Sequence, residues 1–263
     1  MMTPVDAERG LAAHEPELWT STLLASQPHL VHGMTKRGLN MALTVGPDAS
    51  GSVDRRRRVC EAMGVPFDRL TASEQVHAAQ VALVTGSRIG CGRDRTETRI
   101  AGVDGLVTDE PDVPLMVIGA DCCLILVYDP KKRAVGVAHA GWRGTAAGVV
   151  RSLLGHMVTA YECRLETLLA AIGPCAGPCC YEVNEDVVST FAAVGHNTSS
   201  VVDIRNGAMF LDLPRSNAMQ LAECGVDAER IEIAGLCTIC SDAFYSHRRE
   251  PGAGQHALFA AVR

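Results

Sequence analysis

The sequence predicts an α/β (α+β) fold in which mixed β-sheets are covered by helices. Two observations support this class. Short apolar runs typical of buried strands lie close together in the middle of the chain, and a long amphipathic helix follows them. Some of these strands are joined by a tight turn and others by helices, which indicates a mixed sheet.

The first predicted helix covers 54–63, with Ser52 or Asp54 as its cap and Gly64 as its end. It carries four successive arginines, 55–58. Four consecutive residues point around a helix rather than along one face, so the pattern favours a solvated surface over a phosphate-binding patch.

The central strands are predicted at 115–120, 124–128 and 134–139. The turn residues 129–132 should make the last two a hairpin. Glycines at 141 and 144 end the third strand, and Thr145 is the predicted cap of the next helix. Its apolar stripe is the strongest helical pattern in the chain, formed by Val150, Leu153, Leu154, Met157, Val158 and Tyr161.

Later elements follow the same signals. A strand at 168–172 ends at Gly173–Pro174, and helices are predicted at 184–193 and 214–224, the second with Pro214 at its first position. A late strand covers 231–236.

Composition narrows the function class. A net charge of −6 argues against a broad nucleic-acid surface, and no apolar run approaches the roughly 18 residues of a membrane span. Residues 1–29 lack periodicity and a signal-peptide pattern, so they are predicted to form a loosely ordered extension. Eleven cysteines without an export signal predict a reducing, cytoplasmic location.

The segment AHAGWRGT, at 138–145, is the most informative for chemistry. A strand delivers His139 to its carboxyl end, and glycines then let the backbone approach a ligand. Asp121 and Cys122 end the preceding strand, and the predicted hairpin brings them towards His139. His77 is a further candidate, although spacing alone does not select it from nine histidines. Two imidazoles and one thiolate match an open catalytic zinc site.

Eight stretches occur in the order found in a known family: HGMTKR (32–37), LNMALTVG (39–46), QVH (75–77), DGLVTDEP (104–111), ADC (120–122), AHAGWRGT (138–145), IGPCAGPCCYEV (172–183) and CTICSDAFYSHRRE (237–250). The chain thereby resembles the laccase-domain family, also known as multicopper polyphenol oxidase or peptidoglycan editing factor-like proteins. Its members are regarded as purine nucleoside phosphorylases with adenosine deaminase activity. The likeness runs from about Leu30 to the end, which implies one catalytic domain over 30–263 with an α/β/β/α layering and no Rossmann crossover.

The resemblance implies that His77, Cys122 and His139 bind Zn²⁺, with copper as the less favoured metal. It also implies that Arg37 holds phosphate or nucleoside and that His32 lies in the same pocket. Arg143 would contact substrate or brace its loop, and Asp121 is a candidate proton carrier.

The implied substrates are phosphate and purine nucleosides, namely adenosine, inosine and guanosine, with 5′-methylthioadenosine as a further candidate. The protein would be a monomer or a homodimer. Two departures from the family pattern are Ala78 after QVH, where glycine is usual, and Gln255 in place of an arginine.

Three other functions stay open. The same Cys122 and His139 could serve a cysteine hydrolase acting on peptidoglycan precursors. A copper polyphenol oxidase is less favoured because the sequence has no H-x-H pair. A non-catalytic binding module is the weakest alternative. The cysteines at 175, 179, 180, 237 and 240 could form a second, structural zinc site, but Pro178 interrupts the first cluster, so separate thiols are the favoured prediction.

Overall fold

The computed structural model describes residues 16–263. The strands are β1 (Leu18–Trp19), β2 (Leu30–Thr35), β3 (Thr71–Ala72), β4 (Val81–Leu83), β5 (Gly105–Thr108), β6 (Leu115–Gly119), β7 (Cys123–Asp129), β8 (Ala134–Ala140), β9 (Leu169–Ile172), β10 (Glu182–Val183), β11 (Val202–Arg205), β12 (Ala208–Leu211), β13 (Ile231–Ile233) and β14 (His256–Val262). The α-helices are α1 (Thr22–Ala25), α2 (Ser52–Met63), α3 (Trp142–Ala146), α4 (Val149–Tyr161), α5 (Glu185–Ala193) and α6 (Leu213–Glu223).

Two mixed sheets form the centre of the molecule. One has five strands in the order β1-β2-β14-β6-β3, and the other has six in the order β13-β9-β7-β8-β5-β4. Most neighbours are antiparallel, but β3 with β6, β4 with β5 and β9 with β13 are parallel. A small antiparallel sheet, β10-β12-β11, lies apart from these two. The predicted mixed sheets are confirmed.

Three hydrophobic layers hold the sheets and helices together. The inner layer joins the two sheets through side chains such as Met34, Leu115 and Val137. One outer layer packs α4 against the six-stranded sheet through the predicted stripe, of which Val150, Leu153, Leu154 and Met157 are fully buried. The other packs α2 on the five-stranded sheet. The result is the implied α/β/β/α arrangement.

The predicted hairpin is formed by β7 and β8. Its register pairs Leu124 with His139 and Asp129 with Ala134. The Asp129 carboxylate closes the turn by accepting the N–H groups of Lys131 and Lys132 at 2.8 and 3.0 Å. Cys122 therefore lies beside the end of the strand that carries His139.

Two local predictions are corrected. Thr145 does not cap a helix: it lies inside the short α3, its hydroxyl is hydrogen-bonded to Asn217, and α4 begins after Gly148. The prediction of a fully solvated arginine run is wrong for Arg56, which is 1% exposed. Its guanidinium donates to the carbonyls of Met41, Gly92 and Arg93, so it joins loops beneath α2.

The amino-terminal segment is described only in part, because residues 1–15 of the predicted extension lie outside the described residues. From residue 16 onward it contacts both sheets: β1 pairs with β2, and Glu232 of β13 accepts the Ser21 hydroxyl at 2.7 Å and the Leu23 N–H at 2.7 Å. Between residues 16 and 263, no helix has the length and apolar character needed to cross a bilayer.

Candidate metal centre

Two crossings between the sheets carry candidate ligands. The connection from β3 to β4 passes from the five-stranded to the six-stranded sheet and holds His77, and the connection from β6 to β7 does the same and holds Cys122. His139 lies near the end of β8. One ligand atom from each residue lies within 4.8 Å of those of the other two, and Cys122 Sγ is 4.0 Å from His77 Nε2. The three residues predicted as ligands are therefore brought together.

A buried carboxylate, Asp104, organises two of these ligands. It is 0% exposed, and its Oδ1 is 2.8 Å from His139 Nδ1, which leaves Nε2 of that ring for the centre. The same carboxylate accepts the main-chain N–H groups of Val76, His77 and Ala78 at 3.0, 3.0 and 2.8 Å. A carboxylate behind a ligating histidine is the usual outer partner in metal sites.

Asp104 was given no role from the sequence, although it begins one of the family stretches. Burial alone would raise its pKa, but the hydrogen bonds from His139 and from the Ala78 and Val76 N–H groups hold the pKa below its ordinary value. An acidic residue directly before a buried strand is the signal that points to Asp104, whereas Asp121 stands out because it follows one.

The His77 loop is held in an unusual backbone conformation. Gln75 and His77 both have φ of 62°, in the left-handed region that non-glycine residues seldom adopt. The Gln75 side chain fixes the loop by donating to the Ile118 carbonyl at 2.6 Å and accepting the Ile118 N–H at 2.8 Å. Such strain persists only where surrounding contacts determine it, and it is concentrated at functional sites.

The ligands also alter each other's charge. Burial opposes ionisation of Cys122, but the charge of His139 and hydrogen bonds from His139 and His77 lower the Cys122 pKa to about 6. Burial likewise opposes protonation of His139, but Cys122 and Asp104 raise its pKa to about 9. The arrangement therefore favours a thiolate, which is the form of cysteine that binds metal.

The residues fit zinc. Zinc–sulfur and zinc–nitrogen bonds of about 2.3 and 2.0–2.1 Å place tetrahedral ligand atoms roughly 3.4–3.6 Å apart, which requires only a small closure here. Three protein ligands leave one position free, and His77 is exposed on the cavity side. Gly141 supplies room, since a Cβ at that position would lie 2.8 Å from Cys122 Sγ.

A cavity of about 510 Å³ opens onto the three ligands. This volume is within the range of about 300–1,000 Å³ that is usual for small-molecule sites. Arg99, His247 and Arg248 bring positive or titratable groups to its lining, and Gln255 lines it where the family pattern has arginine. The sequence does not point to Arg99, His247 or Arg248, because they approach the metal ligands only when separate loops fold together.

The other predicted site residues lie at different distances from this cavity. Asp121 lines it with φ of 89°, but its Oδ1 accepts the Thr238 hydroxyl and its Oδ2 the Arg248 N–H, both at 2.7 Å. Both oxygens therefore have structural partners. Arg143 is exposed, stacks on Trp142 at 4.1 Å and lines an adjoining cavity that shares Tyr181 and Arg248 with the first.

Arg37 and His32 do not line the metal cavity. Arg37 lines a separate one and forms a two-pronged ion pair with Glu250. His32 is 8% exposed, its Nε2 accepts the Ser21 N–H at 3.0 Å, and burial lowers its pKa. The structure thus separates these two residues from the metal ligands.

Comparisons with known proteins agree with this architecture. Residues 28–263 match the family model described as multi-copper polyphenol oxidoreductase laccase. The chain is 40% identical over 232 residues to purine nucleoside phosphorylase YlmD of Geobacillus stearothermophilus, covering 84% of this chain and 83% of the relative. It is 32% identical to adenosine deaminase RL5 from an unknown prokaryotic organism, covering 81% and 82%. The crystal structure of Geobacillus stearothermophilus YlmD superposes with a TM-score of 0.86 at 36% identity, covering 92% and 94%.

Proposed function

Because the chain belongs to the multi-copper polyphenol oxidoreductase laccase family, we propose that it is a zinc-dependent purine nucleoside phosphorylase with adenosine deaminase activity. Its substrates would be phosphate and purine nucleosides: adenosine, inosine, guanosine and 5′-methylthioadenosine. The eleven free cysteines, all within the described residues, support a reducing cytoplasmic location.

One observation carries the proposal: His77, Cys122 and His139 converge at a cavity of about 510 Å³ whose lining also holds cationic side chains. When bound there, zinc would supply a Lewis acid beside the substrate. Asp104 would hold His139 in the tautomer that directs Nε2 to the centre. Both reactions need a nucleoside to lie against this group, and the cavity is of suitable size.

The phosphate is proposed to bind near Arg248 and Arg99 rather than near Arg37. Arg248 and Arg99 both line the cavity, whereas Arg37 lines a separate cavity and is paired with Glu250. The Arg248 main-chain N–H donates to the Asp121 carboxylate. The Arg248 guanidinium carbon lies 5.2 Å from the centre of the Tyr181 ring. Charge-assisted contacts from arginine are well suited to phosphate oxygens. His247 is proposed to carry the proton, since the Asp121 carboxylate already holds two donors.

The test is a product assay on purified protein. Inosine or adenosine with phosphate should yield the free base and ribose 1-phosphate, and adenosine without phosphate should yield inosine and ammonia. Cys122→Ala should abolish both activities together with the metal of this site. Full turnover by that variant would refute the proposed role of the metal.

A matched pair of variants tests the phosphate assignment. Arg248→Ala should raise the KM for phosphate at least tenfold, because a charge-assisted contact contributes about 1.5–3 kcal/mol. Arg37→Ala should leave that KM within twofold. The reverse order would return the phosphate to Arg37.

A cysteine hydrolase is the second candidate, because Cys122, His139 and Asp104 also form a thiol–imidazole–carboxylate series with a Cys122 pKa of about 6. Chelation separates the two functions, since a thiol hydrolase would survive zinc removal. Oxygen uptake with a phenol, together with bound copper, would instead support a polyphenol oxidase.

A further inference from the structure

Four cysteines outside the proposed active site gather at the surface. They are Cys179, Cys180, Cys237 and Cys240, and their Sγ atoms all lie within 4.8 Å of one another. Cys179 and Cys240 are exposed, and none of the four forms a disulfide. The sequence favoured separate thiols, so this convergence corrects that prediction.

The sheet explains why the two pairs meet. β9 and β13 are parallel neighbours, so the loops that leave their carboxyl ends start at the same edge of the sheet. An isolated parallel bridge between Cys175 and Cys237 extends the alignment beyond the strands. The loop after β9 then reaches Cys179 and Cys180, and the loop after β13 reaches Cys240.

Pro178 contributes to the cluster rather than interrupting it. The N–H of Cys180 donates to the Gly177 carbonyl at 3.1 Å, which makes Gly177 to Cys180 a tight turn with proline at its second position. Gly177 also leaves room, since a Cβ there would lie 3.1 Å from Cys237 Cβ and 3.5 Å from Cys179 Sγ.

We propose that Cys179, Cys180, Cys237 and Cys240 form a second, structural Zn²⁺ site with four thiolate ligands. With zinc–sulfur bonds of about 2.3 Å, a tetrahedral site has sulfur atoms roughly 3.8 Å apart. The distance between Cys179 Sγ and Cys240 Sγ is 3.8 Å. Four sulfur ligands close the coordination sphere, as is typical of structural zinc, and leave no position for substrate.

The surroundings suit the negative charge of such a centre. The Gly177 N–H donates to Cys237 Sγ at 3.3 Å. Arg249 donates to the carbonyls of Thr238, Ile239 and Ser241 at 2.8, 3.0 and 2.8 Å. Arg205, at the end of β11, donates to the carbonyls of Pro178 and Cys179 in the other ligand loop. Two cations thus hold the backbone of both ligand loops.

The second site would also support the cavity wall. Thr238, next to Cys237, donates its hydroxyl to Asp121 at 2.7 Å, and the Ala176 N–H donates to the Asp121 carbonyl at 2.8 Å. Both ligand loops therefore contact the residue that precedes Cys122. Zinc between the loops would fix this part of the wall.

Metal content per chain tests the proposal directly. Wild-type protein purified with Zn²⁺ should contain two zinc ions, Cys122→Ala one, Cys240→Ser one, and the double variant none. Cys179→Ser should repeat the result of Cys240→Ser, and Cys91→Ser, which changes a cysteine outside both groups, should keep two. A single zinc that is lost in Cys122→Ala and kept in Cys240→Ser would overturn the second site.

Two further measurements identify the occupant. The Cys122→Ala protein, stripped and titrated with Co²⁺, should show the intense sulfur-to-cobalt absorption of an all-thiolate site, and Cys240→Ser should reduce it. For the wild-type protein, thiol counting in denaturant with a chelator and without reductant should detect all eleven cysteines as free thiols. Bound iron in place of zinc, or a count lower by two or four through disulfides, would contradict the proposal. These readouts do not use phosphorolysis, so the second site can stand or fall independently of the proposed activity.

Discussion

Replacement of Asp104 by asparagine tests the organisation of the candidate metal centre. The wild-type carboxylate receives four donors, from His139 Nδ1 and the main-chain N–H groups of Val76, His77 and Ala78. Each carboxylate oxygen receives two of these donors. An asparagine keeps one oxygen and has an NH₂ group in place of the other, so two donors would face the NH₂ group instead of an acceptor. Each buried unpaired donor costs about 1–3 kcal/mol, which predicts a loss of about 2–6 kcal/mol in unfolding free energy.

The same substitution should weaken zinc binding at this centre. Loss of an outer hydrogen-bond partner of a ligating histidine costs about 10–100-fold in affinity, or about 1.4–2.8 kcal/mol. The measurements are urea unfolding and competition for zinc with a chromophoric chelator. The matched control is Asp109→Asn, which changes an exposed acidic residue directly after β5. It should change neither the unfolding free energy nor the zinc affinity. An Asp104→Asn protein with wild-type zinc affinity would refute the assigned role.

Three further outcomes are expected. Gly141→Ala should lower zinc occupancy at the Cys122 centre several-fold, because its Cβ would approach Cys122 Sγ to 2.8 Å; unchanged occupancy would contradict this. Gly155→Ala, in the exposed interior of α4 with open space around it, should raise unfolding free energy by up to about 1 kcal/mol in the same urea assay. Burial lowers the pKa of His256 to about 3, so below pH 6.5 the unfolded chain binds the proton that the folded chain excludes. Stability should therefore fall as pH falls, by up to about 1.4 kcal/mol per pH unit from this group. Between pH 6.5 and 4.5, His256→Leu should show a shallower decline than wild type and than His156→Gln, a control at a half-buried histidine of α4.

The features most accurately predicted from sequence are local ones. The stripe of α4 and the turn at Asp129 depend on residues within one or two turns of each other, so periodicity and turn chemistry sufficed. The short α3 escaped the same reasoning, because five residues have no period to detect and Thr145 is buried through a contact with the distant Asn217.

The site was harder to predict than the fold elements. Cys122 and His139 follow from the hairpin register, but His77 was selected only through family resemblance, since nothing local distinguishes it. Arg37 and Arg248 show the reverse problem. Both are arginines in loops, and the sequence does not reveal that the fold pairs Arg37 with Glu250 and places Arg248 in the lining of the cavity. The cysteine cluster depends on the parallel pairing of β9 and β13, which lie far apart in the chain.

The position of His77 and Cys122 on the two sheet crossings would link zinc supply to folding if the proposed metal centre is correct. His77 and Cys122 are 45 residues apart and meet only when both sheets are assembled, so an unfolded chain offers an ion no comparable chelate. Under that proposal, each tenfold excess of free zinc over its dissociation constant would add about 1.4 kcal/mol to the unfolding free energy. In a zinc-starved cell the population of folded molecules would fall along with the active ones, so that abundance itself would report the metal status of the cell.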